Sequence, residues 1–388
     1  MSEWRECKLS EIAGIQTGPF GSQLKNEQYI VGGTPVVTVE HINNFRISDF
    51  NYPSVTNEDK ERLSRYLLKE GDIIFTRVGS VDLSAYVKPH QNGWMFSSRM
   101  LRVRPDKRVD SRFLSYFFQQ KSFRDYILNI SVGATMPSIN TGILKSIPIS
   151  YPPLPEQKAI AAVLSSLDDK IDLLHRQNKT LEAMAETLFR QWFVVEAKKD
   201  WEGIPLSKIA NFLNGLACQK YPPENAIDKL PVLKIRELSS GISESSDWAS
   251  SIIKPEYIVE NGDVIFAWSA SLMVKVWDGD KCILNQHLFK VTSKEFPKWF
   301  YLMWCKHHLA EFISISSSHA TTMGHIKRSD LDAAMVLVPN DDELQVMTIQ
   351  MTALLNKQTT ISKQIKTLET LRDNLLPKLM SGEVRVKL

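Results

Sequence analysis

Cysteine is scarce and scattered: four residues in 388 (Cys7, Cys218, Cys282 and Cys305), with no C-x-x-C pair. That excludes a disulfide framework and a cysteine zinc site, and it fits a reducing cytoplasm. No apolar run reaches the roughly 18 residues that a membrane helix needs, and the N-terminal segment lacks the apolar core of a signal peptide. A cytoplasmic chain is expected, with no membrane partner. A strong charge of either sign is also missing, with 47 Lys+Arg against 44 Asp+Glu. Residues 1–150 hold 19 basic against 15 acidic side chains, and residues 200–340 hold 14 against 16. Neither stretch has the excess of a protein that relies on phosphate contacts alone. If the chain binds nucleic acid, its charge must be sorted locally or a partner must supply part of the clamp.

Catalytic motifs are absent as well. There is no G-x-x-x-x-G-K-[ST] loop and no H-E-x-x-H pair. Tyr151-Pro152-Pro153 and Tyr221-Pro222-Pro223 lack the Asp or Asn with which an amino-methyltransferase holds its target amine. A nuclease pattern can be forced from Pro105-Asp106 and Asp168-Asp169-Lys170, but its second half falls on a helix where a solvated charged face is expected. Cys305-Lys306-His307-His308, with His319 and His325 downstream, is the nearest thing to a metal cluster. Adjacent histidines diverge around a helix axis, so no metal and no cofactor are expected on this chain.

What is present is a duplication. Trp4-x4-Leu9-Ser10-x-Ile12-Ala13 recurs as Trp201-x4-Leu206-Ser207-x-Ile209-Ala210, and Gly71-Asp72-Ile73-Ile74-Phe75 as Gly262-Asp263-Val264-Ile265-Phe266. Pro35-Val36-Val37, Thr135-Met136 and Lys179-Thr180-Leu181-Glu182 recur in the same order, as Pro231-Val232-Leu233, Thr322-Met323 and Lys366-Thr367-Leu368-Glu369. The offset falls from 197 to 187, so small deletions lie inside the second copy. Each copy opens with a segment of short β-rich runs and turns, 1–150 and 200–339, which reads as α+β.

A long helix follows each, in 151–199 and 340–388, after a proline-containing entrance. In the first, Ile160, Leu164, Leu167, Ile171, Leu174, Asn178, Leu181, Ala185, Leu188 and Trp192 alternate at spacings of four and three. Leu344, Met347, Met351, Leu354, Gln358, Ile361, Ile365, Leu368, Arg372, Leu375 and Leu379 keep the same rhythm in the second. That is a coiled-coil seam sustained for about five heptads, or roughly 57 Å of helix. Two such rods in one chain most simply pack on each other.

Local features suit DNA. Thr76-Arg77-Val78-Gly79-Ser80 follows an apolar strand and turns at Gly79, which puts Arg77 and Ser80 near a loop tip. Arg99, Arg102 and Arg104 are expected on one exposed strand face. The loop Gly133–Asn140 offers Thr135, Ser138 and Asn140, and its repeat offers Thr321, Thr322, His325 and Lys327. Trp268 and Ser269 stand where the first copy has Thr76-Arg77, and His287 completes the second set. Such side chains suit base edges in the major groove.

These features together resemble the specificity subunits of type I restriction–modification systems. The likeness rests on Ile147-Pro148-Ile149…Pro152-Pro153-Leu154-Pro155-Glu156-Gln157, on Gly71–Gly79, on Gly18-Pro19-Phe20-Gly21-Ser22-x-Leu24-Lys25, and on Leu375–Glu383. It implies two target-recognition domains alternating with two long helices that pair as an antiparallel coiled coil about a pseudo-two-fold. It also implies double-stranded DNA and two modification (methyltransferase) subunits as partners, the methyl donor bound by those subunits, and restriction subunits adding ATP-driven cleavage. On this resemblance the specificity chain itself is expected to do no chemistry. The second copy departs from the pattern: Pro339-Asn340-Asp341-Asp342-Glu343-Leu344 replaces the Pro-Pro-Leu-Pro-Glu-Gln entrance, and Arg77 has no arginine counterpart. A two-fold pairing of the helices sets Asn178 opposite Gln358 and Ile171 opposite Ile365, matching polar with polar and apolar with apolar.

Overall fold

The proline entrances open two helices of unequal start. Leu154–Arg190 runs 37 residues and ends in a π-turn, Gln191–Val195; Asp341–Met380 runs 40. Gln157, fully buried, explains the first entrance: its amide accepts from the N–H of Asp110 (2.8 Å) and donates to the carbonyl of Pro152 (2.8 Å). The counterpart of Gln157 is Leu344. The second helix is instead capped by Asn340, whose Oδ1 accepts from the N–H of Glu343 at 3.0 Å. Pro377 sits inside the second helix three residues before its end, where it interrupts the i→i−4 bonding just ahead of the helix terminus. None of the seam positions on either helix is exposed.

The computed structural model describes residues 4–48, 50–133, 135–318 and 324–387. They fall into two compact units, one running to Ile171 and resuming at Leu368, the other spanning Asp172–Thr367.

The first unit is built on an antiparallel sheet of β1 (Ala13–Thr17), β2 (Ile73–Thr76), β3 (Ser84–Tyr86) and β4 (Met100–Pro105), in the order β1-β4-β2-β3. Alternate residues of β2 and β4 (Ile73, Phe75, Leu101, Val103) enter a core with Phe113, Phe118 and Phe123. Ile160, Ala161 and Leu164 of the first long helix and Leu376, Leu379 and Met380 of the second join the same core. The other face of the sheet, through Ile74 and Met100, covers a second core beneath the strands Thr34–Val37 and Met95–Phe96, which pair in parallel. Asp168 bonds Arg372, and Glu156 lies 3.6 Å from Arg385, so the two helix segments of this unit run antiparallel.

The second unit repeats the plan. Its sheet is β5 (Asn211–Asn214), β6 (Val264–Ala267), β7 (Met273–Val276) and β8 (Leu288–Thr292), in the equivalent order β5-β8-β6-β7. Phe189 and Phe193 from the end of the first long helix pack against Trp201, Trp299, Phe300 and Trp304. Met347 and Met351 of the second helix are buried in the same cluster. Asn178 meets Ser362, while Trp201 and Lys198 meet Glu343, so the pairing is antiparallel here too.

Candidate nucleic-acid interface

Three loops leave the same end of the first sheet, because β1 and β2 finish where β4 begins: Thr17 pairs with Leu101, and Thr76 with Met100. After β1, Gly18 passes so close to the next loop that a Cβ would lie 2.0 Å from the carbonyl oxygen of Ser97. Only glycine fits there, which accounts for the Gly18-Pro19-Phe20 motif. After β2, Arg77 donates its N–H to the carbonyl of Arg99 (2.8 Å) and Gly79 donates to Pro137 (2.9 Å). Ile139 returns a bond to the carbonyl of Arg77 at 2.9 Å. Arg77, Ser80, Arg99 and Ser138 are thereby gathered, and the guanidinium of Arg77 lies 5.7 Å from the ring centre of Phe20. Thr135, exposed, stands on the same loop as Ser138. Ser138 donates its hydroxyl to the carbonyl of Val132, and Asn140 uses Oδ1 to cap the helix Thr141–Ser146.

The second sheet carries the same frame bond for bond. Gly215 stands in for Gly18, with a virtual Cβ 2.3 Å from the carbonyl oxygen of Asn285. Trp268 donates to His287 (3.3 Å), Ala270 to Gly324 (2.8 Å), and Ile326 returns to Trp268 (3.1 Å). Trp268 thus holds the place of Arg77, one position on from the Thr76 that the sequence comparison sets it against, and Ser269 that of Val78; His287 holds that of Arg99, His325 that of Ser138 and Lys327 that of Asn140. Both turns need the left-handed backbone, at φ +84° for Gly79 and φ +57° for Ala270. His287 is held by the Ser269 hydroxyl at its Nδ1 (3.0 Å). Thr321 and Thr322 lie outside the described residues.

Several expectations change. Arg102 and Arg104 do not form an exposed face with Arg99, which precedes the strand. Arg104 grips buried Asp72 through Nε (2.6 Å) and Nη2 (2.7 Å), while Arg102 is buried on the carbonyls of Arg65 and Leu67. Both pin the sheet to the segment before β2, and burial with a neighbouring Arg104 pulls the pKa of Arg102 down. Asp168 is not part of a solvated face: its carboxylate holds Tyr116, Arg372 and Arg46. Ser269 is buried and Trp268 stacks on Phe289 at 5.5 Å, so both shape the loop from beneath. Cys305 is buried in the core, and His308 bonds the carbonyl of Met335. Asn178 donates to Ser362 Oγ (3.1 Å), and Gln358 reaches the Asn178 main-chain carbonyl (3.4 Å) in place of its side chain.

Beside His287 opens a cavity of about 690 Å³ lined by Cys218, Pro222, Lys234, Arg236, Trp248 and Gln286, among others. Of these, Lys234, Arg236, Trp248 and Gln286 were not singled out from the sequence, and Cys218 and Pro222 were noted for other reasons. The clue was the Gly215-Leu216-Ala217 turn, mirror of Gly18-Pro19-Phe20, which leads into Tyr221-Pro222-Pro223.

A family model described as the type I restriction modification DNA specificity domain matches residues 1–183 and again 198–370. The chain belongs to this family. It is 27% identical over 417 residues to the type I restriction enzyme MjaIX specificity subunit of Methanocaldococcus jannaschii, covering 99% of this chain and 94% of that protein. It is 24% identical over 327 residues to the EcoKI specificity subunit of Escherichia coli, covering 73% and 67%. The fold is shared with the solved type I S subunit from M. genitalium, with a TM-score of 0.59 at 15% identity, covering 100% of this chain and 97% of that one. The two family matches coincide with the two repeats, so the chain is a type I specificity subunit with two DNA specificity domains. Among the described residues no helix is long and apolar enough to cross a membrane.

Proposed function

We propose that the chain reads a split double-stranded DNA site, one half with each loop cluster, and does no chemistry itself. The long helices hold the two readers at a set distance and dock two modification subunits, which carry the methyl donor; restriction subunits join that complex. One observation carries the reading. Two loop clusters share a single backbone hydrogen-bond frame, yet nearly every side chain on it differs: Arg77 against Trp268, Arg99 against His287, Ser138 against His325. A kept frame with changed side chains is what two readers of two different sequences need. Arg77, Ser80, Arg99, Thr135, Ser138 and the amide nitrogen of Asn140 are the reading groups of the first half. His287, His325, Lys327 and the pair Thr321 and Thr322 serve the second, with Trp268 and Ser269 shaping them. The weak net charge fits a duplex clamped chiefly by the partner subunits.

The test is an exchange. Residues 1–150 replaced by the equivalent segment of a related subunit, assembled with modification subunit, should change one half of the methylated site and leave the other. A change in both halves sinks the modular reading. Methyl transfer by the purified chain alone sinks the non-catalytic one.

A further inference from the structure

The carboxylate of Asp168 is four-fifths buried on the first long helix and is held from three sides. Tyr116, on the helix Ser111–Gln119 that backs the first sheet, donates its hydroxyl to Oδ2 at 2.6 Å. Arg372 of the second long helix donates to Oδ1 at 2.9 Å. Arg46 approaches the same oxygen at 3.4 Å from the hairpin Ile42–Ile47. That hairpin is fixed at its tip as well. Phe45 lies beneath the guanidinium of Arg124 (5.4 Å), which itself grips Asp82 at 2.6 and 3.0 Å. The tip residues Asn44 and Phe45 both take positive φ (46° and 60°), a conformation that surrounding contacts must enforce for a phenylalanine. One carboxylate therefore ties together the body of the first recognition domain, its hairpin and both long helices.

Among the described residues the second unit has no carboxylate tie at the equivalent positions; its domain meets the two helices through Lys306–Glu182 and Trp299–Thr348 instead. By the 187-residue offset, Tyr116, Asp168 and Arg372 correspond to Met303, Leu355 and Ala185. The chain there runs from the strand Lys229–Leu233 through the helix Ile235–Ser240 to the strand Trp248–Ser250, with no hairpin between helix and strand where the first unit has Ile42–Ile47. Met303, Leu355 and Ala185 line an open cavity of about 510 Å³ at the place where the first unit packs its hairpin. The duplication has kept the fold and not the polar lock, so the lock is no requirement of the architecture.

We propose that Asp168 is the positioning residue that fixes the first recognition domain on the helices, and so sets how strictly the spacing between half-sites is enforced. This rests on the reading of the chain as a two-half-site DNA reader. Tyr116 and Arg372 are both held in the protonated form that donates to the carboxylate. Burial and the adjacent Asp168 drive the pKa of the Tyr116 phenol far up, and Arg372, though burial opposes its charge, is held protonated by the same carboxylate. Cutting the tie leaves the reading loops untouched, since Arg77 and Arg99 bond to neither Asp168 nor its partners.

The experiment uses the chain assembled with modification subunit. Single-turnover methyl transfer is measured on duplexes bearing the chain's own site, and on duplexes with one base pair added to or removed from the spacer. Asp168→Ala should lower the ratio of native-spacer to altered-spacer rates about tenfold, the worth of one charge-assisted hydrogen bond. Tyr116→Phe should lower it less. Leu355→Ala, at the equivalent position of the second unit, should leave the ratio alone. An unchanged ratio, or equal loss on all duplexes, overturns the proposal by leaving Asp168 a purely structural role. If Asp168→Ala does not fold, Arg46→Ala reads the same ratio with the helix pair intact. Wild-type complex that ignores spacer length would overturn the functional reading itself, a separate result seen before any variant is made.

Discussion

Trp268 holds in the second unit the place that Arg77 holds in the first: each donates its backbone N–H to the head of the neighbouring strand, at His287 (3.3 Å) and Arg99 (2.8 Å). The shared bond fixes where each loop lies, and the side chain is then free to change. Arg77→Ala should weaken recognition of one half-site by roughly 1–3 kcal/mol and relax base choice there, with the other half unaltered. Methylation profiling of a library randomised in both halves reads this directly; loss spread evenly over both halves would contradict it.

The turn after each of these residues makes a second case. Ala270 takes φ +57° where the first unit has Gly79 at φ +84°. An L-residue pays about 1–2 kcal/mol for that conformation, less whatever freedom glycine would lose on folding. Ala270→Gly should therefore raise stability by up to about 1 kcal/mol, and Gly79→Ala, with open space for its Cβ, should lower it by a similar amount. Urea denaturation of the two variants, with equal m-values, is the check.

In the helix seam, Asn178 donates to Ser362, but its Oδ1 is buried with no partner among the described residues. Asn178→Leu should be neutral or stabilising, because it removes an unsatisfied acceptor together with one bond. Ser362→Ala strands the other half of the amide and should cost about 1–3 kcal/mol. The double variant should recover most of that loss. Thermal midpoints of the three proteins would show a non-additive cycle; strict additivity would mean the two side chains do not interact.

Two histidines set a pH dependence. Burial depresses the pKa of His41, which stands among Phe50 and Tyr52. Burial, then the neighbouring His308, depresses that of His307, which packs on Phe189 and Trp304. A lowered folded-state pKa means that the unfolded chain binds more protons in this range. The stability is thus complete above the ordinary histidine pKa and is lost as pH falls below it. Urea midpoints should drop from pH 7.5 to pH 5, and a His41→Gln, His307→Gln double variant should show a flatter profile.

Much of this was legible in the chain because its physics is periodic. The four-three rhythm marked both helices, since apolar residues at that spacing can only serve a helix face, and Gly71-Asp72-Ile73-Ile74-Phe75 marked a buried strand. Gly79 was visible as a turn residue and Gly18 as part of a motif, though not the close approach to Ser97 that makes Gly18 necessary. What stayed hidden depends on partners far away in sequence. Arg104 looks like Arg99 on the page, yet one meets Asp72, 32 residues away, and the other faces solvent. Asp168 sits amid charged neighbours that read as a wet face, and its partners come from positions 46, 116 and 372. The direction of the amides at Asn178 and Gln358 was likewise a matter of one rotamer, not of spacing.

The antiparallel pairs Asp168–Arg372 and Asn178–Ser362 lie ten residues apart on each helix. Each added residue turns a helix by about 100°, so lengthening one rod alone would twist its seam away from its neighbour and carry Phe189 and Phe193 round with it. On the proposed function, a lineage that lengthens its reading distance must therefore lengthen both rods at once, by about the same number of residues and in near-whole turns. Its recognised sites would then differ in steps, like the teeth of a gear, with no intermediate gaps to be found among viable relatives.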